Sequence, residues 1–215
     1  MRGEVLHAIG LALAALELWR VYIQVRHIFK EDSTSGLNPL VWCGWMFSWF
    51  IWSLYAAAIG DVAIMVLGCG AGVLMLPVTI RMIRLKQLKR GGIVLVAALH
   101  APLFYLVLVS PLVGILALSV CDTLWLIPQL RTVLRSDDLG GISKRSVQTS
   151  LVQCVMWCAY AGAIGYPEAA APTVFVIVYD VVSLYRLHSV RADKKHHSEE
   201  SELPGACLAG CGCGL

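Results

Sequence analysis

Apolar runs of about 20 residues, the length a helix needs to cross a bilayer, follow one another along nearly the whole chain with short polar stretches between them. The pattern predicts seven helices, at about 5–28, 39–60, 62–83, 92–110, 112–134, 147–166 and 169–188. Gly60-Asp61 and Tyr166-Pro167 mark tight turns within the pattern. In the second run Trp42, Trp45, Trp49 and Trp52 are spaced by three, four and three, which sets them on one helical face.

The pattern is also duplicated. At an offset of 105 positions Gln24 falls on Gln129, Arg26 on Arg131, Asp32 on Asp137, Gly36 on Gly141, Trp52 on Trp157, Tyr55 on Tyr160, Gly60 on Gly165 and Arg81 on Arg186, without a gap. Runs one to three map onto runs five to seven, so the fourth is a linker. Two three-helix units joined directly would point in opposite directions; one added span makes them parallel. Transporter folds built from such repeats hold their solute near mid-membrane, at the repeat interface. The expected architecture is therefore an all-α integral membrane fold of 3+1+3 helices. Its parts are a first repeat over 1–90, a linker helix over 91–110, a second repeat over 111–190 and a cytoplasmic, disordered tail over 191–215.

Composition narrows the class further. Hydrophobic residues make up 58% and charged residues 14%, against roughly 25% charged in a soluble domain, so the spans leave no soluble domain over. Arg2 and Glu4 precede a first run that carries Glu17 and Arg20 and belongs to the repeat, which is not the pattern of a cleaved signal. Fifteen of the 17 Lys and Arg residues follow the first, third, fifth or seventh run, and the turns after the second, fourth and sixth have none. The positive-inside bias then puts the N-terminus outside and the C-terminus in the cytoplasm, with the cell membrane as the expected location. The net charge of +3 flanks membrane spans and predicts a lipid partner, not nucleic acid. No catalytic constellation or phosphate-cradling glycine loop is present, so neither an enzyme nor a cofactor is expected.

Ionisable residues inside spans are costly and normally face a cavity or each other. Glu17 and Asp122 match through the offset, whereas Asp180 has Met75 as its mate and breaks the symmetry. Such carboxyl groups can carry a proton, which makes Asp180, Asp122 and Glu17 candidates for proton coupling; a Glu17–Arg20 pair one turn apart is the competing, structural reading. Pro128 has no amide hydrogen for the residue four back, which weakens its helix and makes a hinge. Gln24 and Gln129 are expected to hydrogen-bond across a helix interface near the inner mouth, in gating or packing. The first three tryptophans of the stripe read best as lipid-facing or interfacial. His100 reads as a hydrogen-bonded packing group. Of eight cysteines, Cys207, Cys211 and Cys213 end the polar tail; their spacing falls short of a zinc site, and no metal is assigned.

Three helices plus one plus three, Pro128-Gln129 at the inner end of the fifth, Gly141-Ile142-Ser143 after it and Trp157 to Tyr160 in the sixth resemble the PQ-loop and SWEET superfamily over about residues 5–188. The first repeat departs from that pattern, with Ile23 for proline and Asn38 for serine. The resemblance implies a transporter of a small polar solute (a sugar, an amino acid or a related compound) working by alternating access, with Trp52 and Trp157 around a central cavity. It implies that Thr173 and Asp180 of the seventh helix contribute to the site, and that Pro128 lets the inner end of the fifth helix swing. Thr173 lies near a position where the sugar-carrying branch has asparagine, and its mate is Gly68; the missing asparagine pair favours an amino acid or a cation over a sugar. A membrane receptor or scaffold that inherited the fold without transport is the alternative. A homo-oligomer is compatible with either.

Overall fold

The computed structural model describes residues 2–164 and 171–202, with side chains over 4–160, 162–163 and 173–190. The described residues form seven helices and no strand: α1 (Arg2–Lys30), α2 (Pro39–Ile59), α3 (Val62–Arg84), α4 (Arg90–Val109), α5 (Pro111–Arg135), α6 (Lys144–Ile164) and α7 (Ala171–Glu202). The chemistry of the breaks explains the bounds. Asn38 caps α2 by accepting from the amides of Leu40 and Val41, with Pro39 pre-set for the first turn. Ser143 holds the matching place before α6 and accepts from the amide of Ser146 at 3.3 Å. The exchange of serine for asparagine in the first half thus keeps the capping chemistry. Gly60 ends α2 in the left-handed conformation, and Asp61 caps α3. Ser110 is extended between α4 and α5 because the following Pro111 disfavours a helical residue before it.

Six of the helices are long and apolar enough to cross a membrane, and they point to a membrane protein. That is one fewer than the seven spans expected. The exception is α6, whose first half carries Lys144, Arg145, Ser146, Gln148, Thr149, Ser150 and Gln153. Of these, Ser146, Ser150 and Gln153 are buried, so part of the polarity of α6 faces the interior of the protein, where hydropathy is no guide. A second difference concerns the tail: α7 runs on to Glu202, so residues 191–202 continue a helix where disorder was expected. Cys207, Cys211 and Cys213 lie outside the described residues.

Packing follows a definite scheme. Helix α3 contacts both α1 and α2; α7 contacts both α5 and α6; α1 packs on α6, and α2 on α5; α4 touches α2 and α5. The main core joins Ala14, Val21 and Ile28 of α1 to Trp42 and Met46 of α2 and to Met75, Val78 and Met82 of α3. On the other side Val133, Leu139, Ile142, Val147 and Leu187 pack together. Large apolar residues such as Val94, Tyr105, Leu108, Val120 and Val155 are exposed, as lipid-facing positions are.

The two glutamines make reciprocal bonds. Gln24 donates to the Gly141 carbonyl at 2.6 Å and accepts from the Ser143 amide at 3.0 Å. Gln129 donates to the Gly36 carbonyl at 2.9 Å and accepts from the Asn38 amide at 2.8 Å. Each partner in one set is the offset mate of its partner in the other. Each glutamine therefore holds the loop of the opposite half, in place of the helix-to-helix bond expected from sequence. Gly36 has φ 81°, and a Cβ there would meet Leu139 and Ile142, so the loops meet where only glycine fits.

Candidate functional site: a tryptophan-lined cavity with buried acids

A cavity of about 360 Å³ opens among α1, α2, α3, α5, α6 and α7, with loop residues Leu37 and Ile142 adding to its wall. Helix α4 contributes no lining residue. Glu17, Gln24, Trp52, Asp122, Trp157, Thr173 and Asp180 all reach the cavity wall, so residues up to 163 positions apart in sequence, from Glu17 to Asp180, share one space. Pro128 and Gln129 do not line it. Pro128 borders a separate open hollow with Asn38, Arg131, Thr132, Arg135 and Ser136, and it lies within a continuous α5, where it leaves the Leu124 carbonyl without its usual donor.

The tryptophan stripe of α2 faces inward along its whole length. Trp42, Trp45, Trp49 and Trp52 all line the cavity, and Trp42, only 6% exposed, belongs to the main core. The lipid-facing reading of the first three is thereby corrected. Spacing puts residues on one face, but which face turns inward depends on the helices around it, and here α1, α3 and α5 close over the stripe. Trp52 stands edge-on to Tyr55 at 6.0 Å, and its offset mate Trp157 stands edge-on to Tyr160 at 5.5 Å.

The acids have different surroundings. Glu17 is buried, and both its oxygens are taken by the Arg20 guanidinium, Nε to Oε2 at 2.8 Å and Nη2 to Oε1. The pair is fork to fork, so these two charges compensate each other. Position 125, the offset mate of Arg20, is a tryptophan, and Asp122 gains no such partner. Its Oδ2 accepts from Trp52 Nε1 at 3.1 Å, Ser48 lies beside it, and its buried Oδ1 has no hydrogen-bond partner among the described residues. Asp180 is 2% exposed; Ser150, Arg20 and Glu17 are its polar neighbours, and its Oδ2 has no hydrogen-bond partner among the described residues.

Sequence reasoning missed Ser48, Ser150 and Gln153, because small polar residues in an apolar run carry no signal until something packs against them. His100 is a packing group with two partners. Its Nδ1 donates to the Val96 carbonyl at 2.8 Å, which leaves Nε2 of the neutral ring to accept from Ser48 at 3.1 Å. The ring lies parallel to Trp125 at 6.1 Å. Gly68, the mate of Thr173, is pressed against α2: a Cβ there would stand 2.6 Å from the Trp49 carbonyl oxygen. No side chain fits, which is why the position carries no polar group opposite Thr173.

No family model matches the chain, and no curated protein matches it.

Proposed function

We propose that this protein is a membrane transporter of a small polar solute, working by alternating access between two three-helix units, α1–α3 and α5–α7, with α4 as the linker. The cavity carries the reading: it is lined from all six helices of the two units, and its acids sit in walls made largely of indole and aliphatic side chains. The scheme of helix contacts supports the duplication. Exchanging labels that differ by four converts α1·α3 into α5·α7, α2·α3 into α6·α7, and α1·α6 into α5·α2, a reciprocity of the kind a two-fold relation produces. The two glutamine clamps obey the same exchange. In this reading α6 is the seventh span, its polar residues turned to a cavity that water can enter.

The chain is then a divergent member of the PQ-loop and SWEET superfamily, with its N-terminus outside and its C-terminus in the cytoplasm of the cell membrane. Asp180 is the leading candidate for coupling to protons and Asp122 the second. Glu17, already held by Arg20, is the weakest of the three. Pro128 is the hinge of α5; with Ile23 in its mate's place, the two halves bend unequally.

Uptake of a panel of sugars, amino acids and amines into proteoliposomes, with and without a pH gradient, tests the reading. Saturable flux of at least one solute is expected. A protein that passes none of them, yet binds a protein or lipid partner, is the receptor or scaffold instead.

A further inference from the structure

Among the described residues, the charged ones that line the cavity are Glu17, Arg20, Asp122 and Asp180. Arg20 gives both arms of its fork to Glu17, so neither Asp122 nor Asp180 has a cation hydrogen-bonded to it among the described residues, and each keeps one buried oxygen that no described donor reaches. A carboxylate out of water costs several kcal/mol unless it is paired. Around these acids stand the indoles of Trp42, Trp45, Trp49, Trp52 and Trp157, whose faces carry the negative end of the ring quadrupole and attract cations.

Two other ligand classes fit less well. A neutral sugar needs many directed donors, yet Trp52 gives its indole N–H to Asp122 and Trp42 gives its own to the Met75 carbonyl at 3.4 Å. A bare divalent ion needs about six oxygen ligands, and walls made largely of indole and aliphatic groups do not supply them.

We propose that the cavity binds a small organic cation, its ammonium group drawn to the carboxyl groups of Asp122 and Asp180 and its hydrocarbon part packed on the indoles. The volume of about 360 Å³ is that of a small-molecule site. The asymmetry between the halves has a purpose in this arrangement. The first-repeat acid, Glu17, is neutralised within the protein, whereas its mate Asp122 is left for the ligand.

This inference rests on the cavity being a solute site, and binding is measured apart from flux so that the two can fail separately. The full-length protein in nanodiscs, in mildly alkaline buffer, is titrated with radiolabelled choline and, by competition, with tetramethylammonium, butylamine, glucose and the neutral carbon analogue of choline. Saturable choline binding is expected, displaced by the two cations and not by glucose or the neutral analogue. Asp122→Asn and Asp180→Asn should each weaken it about tenfold or more, as loss of a charge-assisted contact does, with unchanged gel-filtration behaviour. The wild-type comparison of choline with its neutral analogue needs no variant, so misfolding of either variant leaves the test standing. Displacement by the neutral analogue as effective as by tetramethylammonium, wild-type affinity in both Asn variants, or no saturable binding of any of the three cations overturns the proposal. Choline binding without flux of any solute would sink the transport reading alone; flux of a neutral solute without cation binding would sink this one alone.

Discussion

The bond from Trp52 to Asp122 ties an aromatic wall to an acid, and each partner can be altered without emptying the space. Trp52→Phe keeps a ring and removes the indole donor, so it should weaken solute handling by about 1.5–3 kcal/mol, the worth of a hydrogen bond to a charged group. Trp52→Phe and wild type compared for apparent affinity in the uptake assay will show it; equal values would mean that the bond does not orient Asp122. Asp180→Asn preserves shape and most hydrogen bonding but cannot exchange a proton. Its expected effect is a flattened dependence of flux on the pH gradient with normal amounts of folded protein in the membrane. A variant that still follows the gradient would make Asp180 structural, and wild-type flux that ignores the gradient would turn the proposed transport into uniport. Trp42, buried on the same wall as Trp52, should also lose function on change to alanine, although its position in the stripe alone suggested a lipid-facing residue. The acids and Pro128 could be picked out because each is conspicuous in its own run, and the Trp52–Trp157 pair because the 105-residue offset matches the two. Ser48 could not, since its importance comes from His100, 52 positions away.

At the scale of elements, the loops after α1 and α5 depend on the two glutamines. Gln129→Ala would leave a buried carbonyl at Gly36 and an amide at Asn38 unpaired, at about 1–3 kcal/mol per group. Thermal unfolding in detergent should begin at a clearly lower temperature, with Gln24→Ala close behind because its bonds are the mirror set; an unchanged melting curve would show that water replaces the clamp. Pro128→Ala acts in the opposite sense, returning one backbone hydrogen bond to α5, worth about 1 kcal/mol. Thermal stability should hold or rise while turnover falls. Turnover equal to wild type would make Pro128 a static kink. The same variant set separates gating from binding, since neither Pro128 nor Gln129 lines the cavity.

For the whole molecule, parity decides the topology. If all seven helices cross the membrane, a reporter fused after Lys195 is active only in the cytoplasm and one at Met1 only outside, as the charge distribution along the chain requires. Both ends on one side would take one helix out of the membrane, α6 first, as the one described helix that is not apolar enough to span it, and would remove the proposed parallel relation of the two units.

Sequence by itself determined the helical class, the positions of the breaks and the 105-residue repeat, because apolar run length, capping residues and proline or glycine punctuation act locally along the chain. It also contained the Glu17–Arg20 pair, whose members lie within one turn of helix. Tertiary structure alone decided the rest. The inward turn of all four α2 tryptophans, the hold of each glutamine on the opposite loop, the tight contact that bars a side chain at Gly68 and the unpaired oxygens of Asp122 and Asp180 each depend on what a second helix or loop brings up. Such contacts span tens to more than a hundred positions, and a helical period says which residues share a face without saying what that face meets.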